Sequence, residues 1–289
     1  MNKISIRFYN DKEVRAVWNE KENEWYFSIF DILSILNKEN DYKKVRNYWK
    51  YLKAKLLKEK NQLVSDTIQL KLKSIDNKTY FTDCINSKGL IELAKNLPNT
   101  NAKDFLEWFL YSEKSIDGQS KKKAYQLFEA NLINDKDIGK TKSLLQIHNY
   151  IFAGLYDFAG KIRNQNISKG GFKFCSAMFL EKNLEEVSNM PQKTYNQIIN
   201  KYVEMNIIHP FLEGNGRSAR IWLDLIFKKE LRKCVDWSKI DKKEYLEAMI
   251  ESHISPTKIQ TLIKEKLTDK INDREIFMKG IDYSYYYEE

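Results

Sequence analysis

Three scarcities narrow what this chain can be before any motif is considered. Of 289 residues only three are cysteine, Cys84, Cys175 and Cys234, isolated from one another and far from any histidine. No CxxC or zinc-type spacing exists and the count is odd, so reduced, half-buried thiols are expected rather than disulfides or a cysteine metal site. Histidine is equally scarce, and neither His148 nor His253 has a ligand-spaced partner, which leaves them core or surface roles rather than metal binding. Long apolar runs are absent: no stretch approaches the ~18 residues of a membrane helix. The opening MNKISIRFYNDKEV lacks the apolar core and small-residue cleavage site of a secretion signal. A cytoplasmic protein with no membrane segment is the expectation.

Hydrophobic residues make up 42% of the chain and charged residues 31%, with a net charge of +9. That is enough apolar content for a packed core beneath a very polar surface. At roughly 100–200 residues per domain, the length suits one large domain or two ordinary ones. No internal repeat is visible. Basic charge concentrates at 42–60, where Lys43, Lys44, Arg46, Lys50, Lys53, Lys55, Lys58 and Lys60 stand against Glu59 alone, with Tyr48, Trp49 and Tyr51 interleaved. Such a helix face suits a phosphate backbone. A solvated lysine-rich helix has the same composition, and on this ground the two stay open.

Residues 3–9 and 13–18 read as short strands joined by a turn at Asn10-Asp11-Lys12, with a third strand at Glu24–Ser28. Asp31 opens a short helix through DILSILN, and the basic helix follows at 42–60. Segments 67–73 and 78–81 alternate as a hairpin turning at Asp76-Asn77. Helices are expected at 87–96 and 101–112, capped by Ser87 and Asn101 and separated by Pro98. The polar run 113–123, with Asp117-Gly118, marks the boundary between an α+β domain, residues 1–112, and a nearly all-α domain, residues 113–289. In the second domain, 143–162 forms a helix with Leu144, Leu145, Ile147, Ile151 and Leu155 near one face. Gly170-Gly171 turns a small hairpin. Helices follow at 180–189, 193–208 and 217–231, then from a capping-box-like Asp241 and Glu244 to Ser252, and at 257–268. Gly139-Lys140-Thr141 imitates the end of a P-loop, but the first glycine of that motif would fall at Asn134 and no clear strand precedes it, so nucleotide binding there is rejected.

The chemistry concentrates in HPFLEGNGRSAR, residues 209–220. Pro210 helps to stop the helix that ends near Ile208. Gly214 and Gly216 flank Asn215 and permit positive φ values, so successive N–H groups can converge on an anion. A helix begins immediately afterwards, and its free amides and dipole favour the same anion. Arg217 and Arg220 lie three apart on its first turn, on nearby faces. Two arginines, a nest and a helix start together suit a polyphosphate. Glu213 and Asn215 add oxygens for a hard cation such as Mg²⁺, which takes one or two protein oxygens beside phosphates and water. His209 heads the loop with an imidazole suited to accept a hydroxyl proton near neutral pH. Each feature alone is commonplace; their conjunction in one short segment is not.

HPFLEGNGR with Arg220 resembles the signature of the Fic family, HPF-x-[DE]-GNGR-x-x-R, at every defined position. The upstream IHNYIFAGLYDFAGKIR (147–163) resembles the helix and turn that precede the family's hairpin. The resemblance covers about residues 125–289. It implies an all-α Fic-type helical domain with a small β-hairpin flap, and transfer of the AMP part of ATP to Tyr, Ser or Thr hydroxyls of a protein target. On that basis His209 would deprotonate the hydroxyl and Glu213 would hold Mg²⁺ against the α- and β-phosphates. Asn215 and the amides of Gly214 and Gly216 would cradle the α-phosphate, and Arg217 and Arg220 would bind the β- and γ-phosphates. The flap, ISKGGFKF (167–174), would receive the target as an added strand, with Lys169 and Phe172 holding target and nucleotide. A different nucleotide donor, or hydrolytic removal of AMP, suits the same loop.

Ser284 and Glu288 lie four residues apart and share a face if the terminus is helical. They resemble the [ST]-x-x-x-E-[GN] inhibitory motif of Fic proteins that carry a brake at the C-terminus, although Glu289 stands where the pattern has Gly or Asn. The likeness implies that Glu288 pairs with Arg220 and keeps ATP out of line. Tyr283, Tyr285, Tyr286 and Tyr287 beside it are candidates for self-modification that releases the helix. Brakes of this kind respond to self-association, which leaves a homo-oligomer open. Residues 1–112 resemble the Bro-type amino-terminal domain of phage and viral regulatory proteins, through EVRAVWN, KENEWYFSIFDILSIL, YWKYLKAKLLKE, QLKLKS and YFTD. This likeness implies DNA binding, with salt-dependent lysine contacts to phosphate, against the rival of a protein–protein module. A DNA-binding regulator whose Fic half only binds partners is the alternative from another class; the presence of His209 and Arg220 speaks against it.

Overall fold

The computed structural model describes residues 4–73, 78–97, 101–130 and 132–288. The chain divides into two compact units, Met1–Ser115 and Ile116–Glu289. In the first, β1 (Ile4–Tyr9), β2 (Lys12–Asn19), β3 (Glu24–Ser28), β4 (Ile68–Lys73) and β5 (Thr79–Ile85) form an antiparallel sheet in the order β1-β2-β3-β5-β4. Tyr9 pairs with Lys12, so the first turn is only Asn10 and Asp11, both at positive φ (47° and 61°), and Lys12 belongs to the strand. Asn and Asp tolerate the left-handed region that a two-residue hairpin needs. The expected turn at Asp76-Asn77, like Pro98, lies outside the described residues.

Helices α1 (Ile29–Leu36), α2 (Tyr42–Lys58), α3 (Gln62–Ser65), α4 (Ser87–Lys95) and α5 (Asn101–Lys114) accompany the sheet. Two caps differ from expectation. Ser28 caps α1, accepting from the Asp31 amide at 3.3 Å. Asp31 is therefore inside the helix, and its carboxylate receives Arg15 at 2.5 and 2.7 Å. Asn86 rather than Ser87 caps α4, accepting from the Gly89 amide at 2.9 Å. Strand alternation sorts the core. Ala16 and Phe27 join Leu33, Trp49, Leu93, Phe105 and Phe109 in the main cluster, whereas Val17 and Tyr26 join Leu72 and Cys84 in a second one. Helix α2 buries only Val45, Trp49 and Leu56. Lys53 is tied to Asp83 at 2.8 Å; the other seven basic residues of the 42–60 run are exposed.

The second unit is helical: α6 (Ile116–Gln126), α7 (Thr141–Phe152), α8 (Leu180–Asn189), α9 (Tyr195–Ile208), α10 (Asn215–Leu231), α11 (Lys242–Glu251), α12 (Thr257–Glu265) and α13 (Arg274–Tyr286). A hairpin of β6 (Ser168–Lys169) and β7 (Phe172–Lys173) turns on Gly170 and Gly171, both at positive φ. A second small pair, β8 (Cys234–Val235) with β9 (Leu267–Thr268), was not expected, and it ends the helix placed at 257–268 early. The polar run 113–123, within which the two units divide, is largely helical. It continues α5 and forms most of α6, whose Ser120, Lys121 and Ala124 are buried. The helix expected over 143–162 stops at Phe152, because Ala153 turns extended and Gly154 adopts φ 76°. Leu155 therefore lies beyond it. Asp241 accepts from the Glu244 amide at 3.0 Å as the cap of α11.

Helix α10 is the centre of this unit. Ala219, Ile221, Trp222, Leu223, Ile226 and Phe227 are all buried, and it packs on α7, α9 and α13. Helices apolar nearly all round belong in a core, and large side chains of this kind stabilise by roughly 1.5–3 kcal/mol each. All three cysteines are free thiols. Among the described residues no helix is long and apolar enough to cross a membrane.

Candidate active site

The 209–220 loop is built where α9 hands over to α10. His209 ends α9 in the left-handed region, φ 52°, with its amide donating to the Met205 carbonyl at 3.1 Å. Such C-terminal positions normally hold Gly or Asn, so a side chain is kept here at some cost in strain. Asn215 closes the loop. Its Nδ2 donates to the Phe211 carbonyl at 2.8 Å, and its Oδ1 accepts from the Phe211 amide at 2.9 Å. That side chain is buried, and these two bonds to Phe211 hold it as the brace of the loop. Gly214 turns at φ 80°, where a Cβ would lie 2.3 Å from the Phe152 ring. As cap of α10 it offers no side chain to the first amides of the helix, which remain open to an anion. Gly216 is helical, not left-handed, since α10 begins at Asn215. A Cβ there would lie 2.1 Å from Oε1 of Glu288, so any larger residue would shift that carboxylate.

The His209 ring stacks on Phe174, which follows β7, with centroids 3.8 Å apart. Its Nδ1 lies 3.1 Å from the Asn206 carbonyl. A carbonyl can only accept, so Nδ1 carries the proton and Nε2 is left as the acceptor. Burial pushes the imidazole down to about 4, against smaller raising effects of the Asn206 carbonyl and Glu288. The ring is neutral at pH 7, as a base must be.

Two further residues hold the loop and were not singled out from the sequence. Arg163 is buried and donates to the carbonyls of His209 (2.7 Å), Ile208 (3.0 Å), Cys175 (2.6 Å) and Gln165 (2.6 Å). His148, considered above only as a core or surface residue, accepts at Nδ1 from the Gly160 amide (2.8 Å) and so donates from Nε2 to the Glu213 carbonyl (2.9 Å). It stacks on Phe211 with centroids 3.7 Å apart, and burial lowers it to about 4. The one available signal was the IHNYIFAGLYDFAGKIR run, which contains both.

Carboxylates occupy the arginines. Arg220, 2% exposed, donates from Nε to the Ser284 hydroxyl (2.7 Å) and from Nη2 to the Ser284 carbonyl and Glu288 Oε1, both at 2.6 Å. Its Nη1 donates to the Tyr245 hydroxyl at 3.2 Å. The other Glu288 oxygen lies 3.6 Å from Nζ of Lys169 on the flap. Burial would raise the Glu288 carboxyl, but Arg220 and then Lys169 hold it at about 2. Arg217 pairs with Asp117 of α6 and with Glu213 (3.0 Å). Phe172 faces His253, centroids 4.9 Å apart. Of the four tail tyrosines, Tyr285 donates its hydroxyl to Ser120 (3.0 Å) and Tyr287 to the Trp237 and Ile240 carbonyls (2.9 and 3.0 Å), and both are buried. Tyr283 and Tyr286 are half-buried.

Residues 139–227 match the model of the Fic/DOC family, and residues 13–114 that of the BRO family, N-terminal domain. The chain carries a Fic domain behind a Bro-N domain. Over 175 residues it is 27% identical to protein adenylyltransferase VbhT of Bartonella schoenbuchensis, covering 55% of this chain and 35% of that protein. The chain thus spans about a third of that relative's length. It is 24% identical over 181 residues to the probable protein adenylyltransferase y4lH of Sinorhizobium fredii, covering 58% and 86%. Among solved structures, BepC of Bartonella tribocorum with bound AMPPNP aligns with a TM-score of 0.47 at 16% identity, over 53% of this chain and 84% of that one.

The Fic domain has no group of three or more His, Cys, Asp or Glu placed to hold a metal among the described residues. A half-exposed Glu213 carboxylate at the mouth of the α10 N-terminus nevertheless fits Mg²⁺ delivered on a nucleotide, since that ion takes one or two carboxylates and draws its other ligands from phosphates and water.

Proposed function

We propose that the chain transfers AMP from ATP to Tyr, Ser or Thr hydroxyls of a protein target, with His209 as general base. The observation that carries this reading is the His209 tautomer: a neutral imidazole with Nε2 unprotonated, beside a helix start whose first amides are open. The target hydroxyl gives its proton to His209 Nε2 as its oxygen bonds to the α-phosphorus. The bond from that phosphorus to the bridging oxygen breaks, and pyrophosphate leaves. Amides at the start of α10 receive the α-phosphate, and Arg217 and Arg220 receive the β- and γ-phosphates. Mg²⁺, when bound by Glu213, neutralises charge on the phosphates. Catalysis on this scheme is mainly electrostatic.

The tail is the brake in this reading. Glu288 and Ser284 occupy Arg220, which removes the γ-phosphate site. Self-modification would fall among Tyr283, Tyr285, Tyr286 and Tyr287, of which Tyr285 and Tyr287 have their hydroxyls engaged in the core. The exposed lysine face of α2 supports DNA as a partner of the Bro-N domain, in a cytoplasmic setting. The test is incubation with Mg²⁺ and ATP labelled on the α-phosphate. His209→Ala in a Glu288→Gly background should lose label transfer by about 10²–10⁴-fold, the usual range for a general base, with ATP binding kept. Transfer that survives the loss of His209 overturns the assignment.

A further inference from the structure

The tail accounts for one of the two arginines, but the other is also occupied, and by a different helix. Arg217 is 3% exposed. Its Nη1 is paired with Asp117 of α6, and its Nη2 donates to Glu213 at 3.0 Å. Its Nε is buried with no hydrogen-bond partner. The guanidinium lies over Phe152 and Tyr285, 5.2 and 5.4 Å from their ring centroids. In this arrangement each nitrogen is either held by a carboxylate or sealed from solvent. A fork whose two outer nitrogens already hold carboxylates is not poised to take a phosphate bidentately.

We infer that Asp117 is a second inhibitory carboxylate, holding Arg217 off the β-phosphate as Glu288 holds Arg220 off the γ-phosphate. The inference rests on the reading of the loop as an ATP site. The two locks are mechanically joined. Helix α6 is fastened to α13 by Tyr285 donating to Ser120, by Tyr125 donating to Asp282, and by Lys121 at 4.0 Å from Asp282. Tyr285 itself lies under Arg217, so displacement of α13 removes the ring that keeps the arginine against Asp117. Asp117 is half-exposed and its backbone is held in α6, so it can swing away without unfolding the helix. The brake is thus made of α6 and α13 together, and removing Glu288 alone leaves Arg217 tethered.

Calorimetric titration of the full chain with ADP and with AMP, each with Mg²⁺, tests this in Glu288→Gly and in Glu288→Gly with Asp117→Asn. The second substitution should tighten ADP by about two- to fivefold, the scale of a partly exposed ion pair. AMP, which lacks the β-phosphate, should bind equally to both. In the label-transfer assay the gain should fall on KM for ATP and leave kcat nearly unchanged. Unchanged or weaker ADP binding in the double variant overturns the inference, as does an equal change for AMP, which marks a general loosening of the site. Loss of label transfer in every variant, with tighter ADP binding intact, overturns the AMP-transfer reading and leaves the Asp117 lock standing.

Discussion

Replacing Glu288 by Gly should raise AMP transfer, and the structure sets the size of the effect. The carboxylate is held at about 2 from an ordinary 4.5, a net of roughly 3 kcal/mol in favour of its charged form after the opposing cost of burial. Against burial, Arg220 at 2.6 Å is the main lowering partner, followed by Lys169 at 3.6 Å and Arg217. A nucleotide must displace this interaction to reach Arg220, so its removal is worth up to about a hundredfold in kcat/KM. The value is an upper bound, because Ser284 still contacts Arg220 through its hydroxyl and carbonyl. A carboxyl depressed in the folded state contributes fully above its unfolded value of 4.5 and loses that contribution only as the pH falls towards about 2. The gain in Glu288→Gly should therefore be flat between about pH 6 and 8. Initial rates of label transfer at limiting ATP read both. A gain below about threefold in a folded variant, or one that vanishes towards pH 6, refutes the reasoning.

Two further outcomes are expected. His148 and His209 are both held at about 4 by burial, from 6.5. Between those values the unfolded chain binds protons that the folded chain refuses, so stability is complete above pH 6.5 and falls as the pH drops to about 4, by up to roughly 3 kcal/mol for each ring. Urea titrations from pH 7.5 to 4.5 should show this slope in the wild type and a shallower one in His148→Asn; equal slopes would sink the assignment. Lys50→Ala and Lys58→Ala on α2 should each weaken DNA binding of the full chain and lower the log–log salt slope by about 1. An unchanged slope would remove DNA as the partner of that face.

The 209–220 segment was legible in the sequence because its parts are contiguous: base, carboxylate, glycines and arginines follow one another within two helix ends. Local signals also gave the Gly170-Gly171 hairpin and the cap at Asp241, since turns and caps are decided by neighbours in the chain. The errors share a cause. The helix expected over 143–162 was drawn from apolar spacing, and its real end lies in a glycine at positive φ that spacing does not register. The polar run 113–123 marked the boundary, but its composition did not show that it is helical or that its charges are answered by partners far along the chain, Arg217 for Asp117 among them.

What the sequence determined alone was therefore the chemistry on offer: a histidine, an acid, an open helix start and two arginines in one loop, with a tail acid at a spacing suited to a helix face. What only the tertiary structure decided was the state of each group. The Asn206 carbonyl fixes which nitrogen of His209 carries the proton, the Phe211 backbone anchors the Asn215 side chain, and the carboxylates of α6 and α13 occupy both arginines. Those outcomes depend on distances between residues up to 100 positions apart, such as Asp117 and Arg217, and on burial that removes competing water. Neither quantity is written in local sequence, because pairing energies in a folded interior are set by proximity and desolvation rather than by composition.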